Sequence, residues 1–123
     1  MRNSDFARKS YAFAVRIVNH VKWLHGKNEY VLSKQVLRSG TSIGAMIREA
    51  EHAESDADYI HKLNVALREA NETEYWLMLL KDTDYMDEAK HASIDKDCQE
   101  LKKLLVSSIK TLKSKLDQKK KKD

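Results

Sequence analysis

Two Glu-x-x-His pairs, Glu49 with His52 and Glu88 with His91, have the spacing in this chain that most directly suggests chemistry. Helical bundles that hold two metal ions take one such pair from each of two helices, plus a lone inward Glu from each of the other two. That set is incomplete here. The first amphipathic segment has no carboxylate after Asp5, and Glu88 and His91 precede the apolar repeat of the last segment. The expectation is a helix-end His52, a solvent-facing His91, no metal and no cofactor. The single cysteine, Cys98, can form no internal disulfide. It falls on an apolar helical stripe, which suits a buried structural thiol. There is no glycine-rich phosphate loop and no Cys-His or Ser-His-Asp set. No catalytic residue is expected, and the chain reads as non-enzymatic.

The second candidate chemistry is recognition of phosphates. Arg2, Lys9, Arg16 and Trp23 are each seven apart, so on a helix they form one line beside the apolar stripe. A basic line ending in an aromatic can track a phosphate backbone and stack a base. Lys119, Lys120, Lys121 and Lys122 add a basic run near the C-terminus. Charge is segregated along the chain. Residues 1–27 hold six basic and one acidic residue, whereas residues 54–85 hold three basic and eight acidic. The competing reading of the basic line is a solvated face whose cations pair with the acidic third segment.

Four helices must position these groups. Phe6, Ser10, Phe13, Ile17 and Leu24 repeat at heptad-like spacing and predict a helix over 4–24, with Gly26 and Asn28 supplying the stop. Val36, Gly40, Ile43, Ile47 and Ala50 predict a second helix over 33–53. Gly40 and Gly44 lie four apart on one face, and each costs about 1 kcal/mol of helix propensity relative to Ala. A close helix contact, tightest at this pair, is the expected compensation. Ser55 and Asp58 open a third helix as a loose capping box, with Ile60, Leu63, Leu67, Ala70 and Leu77 on one face as far as Thr83. Ile94, Cys98, Leu101, Leu105, Ser108 and Leu112 predict a fourth helix over 93–116.

With no proline and three glycines, the chain reads as all-α, and short connections make it an antiparallel up-down-up-down four-helix bundle. Residues 1–117 form the bundle domain, and 118–123 read as a disordered Lys-rich tail. Arg48, Glu49, Arg68, Glu69, Glu72 and Glu74 lie on strongly apolar helices, so interhelical Arg–Glu pairing that fixes register is expected. Tyr11, Val15, Tyr75, Trp76 and Met78 are hard to bury in one 123-residue bundle, which points to a homo-oligomer. No apolar run approaches the ~20 residues needed to span a bilayer, and nothing resembles a signal peptide, so no membrane role and a cytoplasmic location are expected.

Two stretches carry a family resemblance. Arg38-Ser39-x-Thr41-Ser42-Ile43-Gly44-Ala45-x-Ile47-x-Glu49-Ala50 and Leu63-x-x-Ala66-Leu67-x-Glu69-Ala70-x-Glu72-Thr73-x-Tyr75-Trp76-Leu77 resemble signatures of the small proteins encoded in intervening sequences of bacterial 23S rRNA genes, also called S23 ribosomal proteins. The resemblance covers roughly residues 5–115, with Met46 standing where the family usually has Asn. It implies a four-helix bundle assembled as a homopentamer and carries over no catalytic residue. The fold it implies is similar to that of accessory proteins of diversity-generating retroelements, which are basic pentamers that bind nucleic acid and a reverse transcriptase. The resulting expectation is an oligomer that binds RNA or DNA through basic surface. The alternative is a scaffold that docks a protein partner and has no nucleic-acid role.

Overall fold

Residues 4–122 are described by the computed structural model. They form α1 (Ser4–Gly26), α2 (Val31–Ala50), α3 (Asp56–Asp82) and α4 (Glu88–Lys122). Each helix packs on the next, and α4 closes back on α1. The order is that of an antiparallel up-down-up-down bundle, with α1 and α3 on the diagonal. The expected stripes meet at the centre. Phe13, Ile17, Leu24, Ile43, Leu63, Leu77, Leu80, Ile94, Leu101 and Leu105 are all fully buried.

The helix boundaries differ from expectation where polar caps override the apolar repeat. α2 begins at Val31 because the buried Glu29 carboxylate accepts from the backbone N–H groups of Val31, Leu32 and Ser33 at 3.2, 3.0 and 2.7 Å. These are orphan donors of a first turn. Burial alone would raise the Glu29 carboxyl pKa; the three N–H donors outweigh it and hold it below the usual carboxylate range. α4 begins at Glu88 because Asp87 Oδ1 accepts from Lys90 N at 2.6 Å, an N-cap bond. Ser55 caps α3 as expected, accepting from Asp58 N at 3.0 Å.

The stops of α1 and α3 are set by left-handed residues other than glycine. Asn28 has φ 62° and Asp84 has φ 67°. Behind each, the next N–H reaches back to close the helix, Glu29 to Leu24 O at 2.9 Å and Tyr85 to Leu80 O at 2.8 Å. This is Schellman geometry. Gly26 keeps a negative φ, so Asn28 alone makes the turn.

α4 ends later than expected. Residues 118–122 continue the helix where composition predicts a disordered tail. No Gly or Pro interrupts the run, Lys is a good helix former, and lysines near a C-terminus complement the helix dipole.

Gly40, and not Gly44, marks the tightest approach of α2 to α1. A Cβ on Gly40 would lie 2.8 Å from Ile17 Cγ1, whereas one on Gly44 would lie 3.3 Å from Ser10 Oγ. Gly44 is half-buried and lines an open groove between α1 and α2.

Candidate nucleic-acid interface

Lys9 and Arg16 project from α1 toward α4 because their positions flank the stripe on that side. Lys9 Nζ lies 2.6 Å from Glu100 Oε1, and Arg16 Nη1 lies 2.7 Å from Asp97 Oδ2. Arg16 Nη2 also donates to Ser93 Oγ at 2.9 Å. The middle of the basic line is therefore an ion-paired seam. The pairing partner is α4, whereas charge counts along the chain point to the acidic α3. Arg2 lies outside the described residues.

Trp23 ends the line in a different setting. Its ring is about half exposed and stacks on His20, with centroids 5.3 Å apart and planes 26° apart. Lys27 Nζ sits 5.4 Å from the Trp23 centroid. His20 is buried, and its Nε2 lies 3.0 Å from Tyr85 O. A carbonyl only accepts, so Nε2 carries the proton. Burial pushes the His20 pKa below the ordinary imidazole value, against the opposing pull of that carbonyl. Asn19, His20, Trp23, Met86, Asp87 and Lys90 line a cleft of about 380 Å³ at this end of the bundle.

Lys119, Lys120 and Lys121 lie at the opposite end. They are exposed on the last turns of α4, with Lys122 closing the helix. From Lys90, beside Trp23, to Lys119 is on the order of 40 Å along α4 at ~1.5 Å per residue. The structure thus does not bring Trp23 and the lysine run together.

What forms instead is a projecting basic helix end. The Lys9–Glu100 pair puts Ser4 level with about residue 105 of α4, so later turns of α4 extend past the start of α1. Leu112 and Leu116 still pack against the core, while residues 117–121 are exposed on every side. Lys110, Lys113 and Lys115 are also exposed, as is Lys103 a little earlier. Among the described residues, none of these lysines joins the ion pairs found. Sequence reasoning singled out only the terminal run of four. The signal that could have extended it is the count over 108–122, seven lysines against Asp117.

The other polar candidates are structural. Arg38 of α2 bridges to Glu69 at 2.9 Å and to Glu72 on α3, and Trp76 Nε1 donates to Glu72 at 3.2 Å. Glu49 pairs with Lys62 at 3.6 Å, and Glu74 with Lys102 at 3.2 Å. Interhelical pairing is thus present, but Arg38 takes the role expected of Arg48 and Arg68, which are exposed. His52 is exposed in the turn after α2, as expected. His91, expected to face solvent, is half-buried, and its Nε2 has no hydrogen-bond partner among the described residues. Among those residues no group of three or more His, Cys, Asp or Glu could hold a metal ion. Cys98 is fully buried against Ala70 O, and burial pushes its thiol up to about 12.

A buried hydroxyl pair went unforeseen. Thr73 Oγ1 lies 2.8 Å from both Glu69 O and Ser39 Oγ. The carbonyl can only accept, so Thr73 donates to it and the Ser39 hydroxyl donates to Thr73. This joins α2 to α3 inside the core. Its only trace in the sequence is a Thr on an otherwise apolar face.

These features define an all-α, antiparallel four-helix bundle whose densest run of exposed lysines lies at one end. The chain belongs to the 23S rRNA-intervening sequence protein family, whose model matches residues 2–107. It is similar, at 59% identity and a TM-score of 0.84, to a crystal structure from Bacteroides thetaiotaomicron VPI-5482 described as a protein of unknown function from the S23 ribosomal protein family. That match covers 85% of this chain and 98% of the other. No curated protein matches. The family match divides the charge sharply. Residues 1–107 hold 16 basic and 17 acidic residues, and residues 108–123 hold seven basic and two acidic. All the net positive charge lies beyond the matched stretch.

Proposed function

We propose that this protein is a non-enzymatic, cytoplasmic homo-oligomer, a pentamer on the family resemblance, that binds RNA or DNA through basic surface. The observation that carries the reading is the set of exposed lysines on the second half of α4 that join no ion pair among the described residues. Lysines that neutralise phosphates release counterions, and this supplies sequence-independent affinity. Lys9 and Arg16 do not contribute, because Glu100 and Asp97 already neutralise them.

Assembly is supported by two unlike apolar patches on diagonal helices. On α1, Tyr11 is 71% exposed and Val15 43%; on α3, Tyr75 is 58% exposed and Met78 49%. Beside Tyr11, a groove of about 490 Å³ runs between α1 and α2, lined by Ala7, Ala14, Gly44 and Ala45 among others. Unlike patches on opposite sides suit head-to-tail contacts, which close into rings. Among the described residues no helix is long and apolar enough to cross a membrane. The same groove supports a second reading, a scaffold that docks a protein partner.

Two measurements test the proposal. Light scattering across a concentration series should give a multiple of the 14.3 kDa chain; a monomer at every concentration overturns the assembly. Titration of labelled RNA and DNA should show binding at low salt that weakens steeply as salt rises. No binding of any nucleic acid at low salt leaves the scaffold reading in its place.

A further inference from the structure

We infer that the end of α4 is a docking helix for double-helical nucleic acid, bound through both strands' phosphates without regard to sequence. This rests on the nucleic-acid reading above and adds the element, the form of the ligand and the mode of contact.

The element follows from charge and exposure together. Residues 1–107 have one more acidic than basic residue. A polyanion therefore gains little from them as a whole. Residues 108–122 carry seven lysines and one aspartate on a helix that runs past its neighbours. That concentration creates a local positive field on a molecule whose remainder is near neutral.

The form of the ligand follows from what the helix end lacks and how its lysines are placed. No aromatic residue occurs between 107 and 122, so there is no platform on which unpaired bases would stack. Trp23 lies at the far end of the bundle and is engaged by His20. The exposed Tyr11 of α1 is level with about residue 98 of α4, about 18 Å along the helix before Lys110. At ~100° per residue, Lys113 and Lys120 share one side of the helix, Lys110 and Lys121 lie next to them, and Lys115 and Lys119 lie opposite. A flat anionic surface would use one side only. A duplex groove places phosphates on both flanks of a helix ~10–12 Å wide. Residues 117–121, exposed on every side, are Asp, Gln and Lys, so no apolar face is present to enter a lipid headgroup region. Serine, threonine and glutamine are the only uncharged polar groups there, too few to read base edges.

The experiment uses the full chain and two variants of equal charge change. The first carries Lys119→Gln, Lys120→Gln and Lys121→Gln. The second carries Lys22→Gln, Lys34→Gln and Lys96→Gln, all exposed positions elsewhere. Gln matches Lys closely in helix propensity, and circular dichroism with light scattering confirms that fold and assembly are intact. The ligands are 20-base-pair DNA and RNA duplexes of mixed sequence, the matching single strands, and phosphatidylserine–phosphatidylcholine vesicles. The DNA and RNA arms identify which duplex is preferred. The parent should bind a duplex at least about tenfold more tightly than its single strands. The first variant should lose about tenfold or more in duplex affinity and flatten the log–log salt slope by about 3, at ~0.9 for each phosphate no longer neutralised. The second should change affinity less than about threefold. If no nucleic acid binds the parent, the reading it rests on fails. If nucleic acid binds but the two variants fall equally, or single strands bind as tightly as duplexes, only the docking helix fails. Vesicle binding without duplex binding would assign the helix end to membrane surfaces and overturn the inference.

Discussion

Arg16 of α1 and Asp97 of α4 meet at 2.7 Å across the seam that closes the bundle. With Lys9–Glu100 one to two turns away, the pair sets which face of α4 meets α1. Both side chains are a third to a half exposed, so the gain is that of a partly screened surface pair. In a double-mutant cycle, Arg16→Ala and Asp97→Ala should couple by about 0.5–1 kcal/mol at low salt. The coupling should shrink at 1 M salt, and nucleic-acid affinity should hold within about threefold. Additive single effects would show the pair to be incidental.

Gly40 and Gly44 should respond differently to the same substitution. Gly40→Ala drives a Cβ to 2.8 Å from buried Ile17, which has little room to yield. Overpacking of about 1–3 kcal/mol should outweigh the propensity gain of about 1 kcal/mol. For Gly44→Ala the three nearest atoms all belong to Ser10, at 3.3–3.5 Å, and the substitution should be clearly less destabilising. Urea unfolding of both variants decides it; equal losses would mean α1 and α2 approach as closely at both positions.

Glu29→Gln should lower stability by about 0.5–2 kcal/mol at neutral pH, the range for loss of a good cap. The sign with pH follows from a folded-state pKa held below the ordinary value of 4.5. The charged cap's contribution is fully present above that value and is lost as pH falls through the lower folded-state pKa. The gap in melting temperature between parent and variant should therefore narrow on acidification below pH 4.5. A constant gap would show that the carboxylate charge is not what caps α2.

Cys98 should resist alkylation while the protein is folded. The thiolate is the reactive form, and burial holds the thiol at about 12 with no exposed surface. Iodoacetamide at about pH 8, near the free thiol's pKa, should modify it only in denaturant, as read by mass spectrometry. Rapid modification of the native protein would place Cys98 outside the core.

The fold was legible because it depends on periodicity. Phe13, Ile43, Leu63 and Leu105 sit at spacings that only helices place on one face, and breakers are nearly absent. Exposure of Tyr11, Val15, Tyr75 and Met78 was legible for the same reason, since they fall off the stripes. Trp76 did not follow them: it is half-buried, held by its bond to Glu72.

The candidate site was half legible. Sequence alone determined the chain's charge and placed its densest lysines near the C-terminus. Only the tertiary structure decided which cations are free. Lys9 and Arg16 look like part of an open strip until α4 brings Glu100 and Asp97 against them. Ion pairing depends on residues more than 80 positions away, and no local pattern carries that information. The early start of α4 was hidden for a related reason. A cap such as Asp87 acts through one side-chain geometry, and many turns contain an Asp that does not cap. Helical periodicity is a property of the local backbone, and so the sequence specifies it. The neutralisation of one charge by another is a property of packing, which only the assembled bundle fixes.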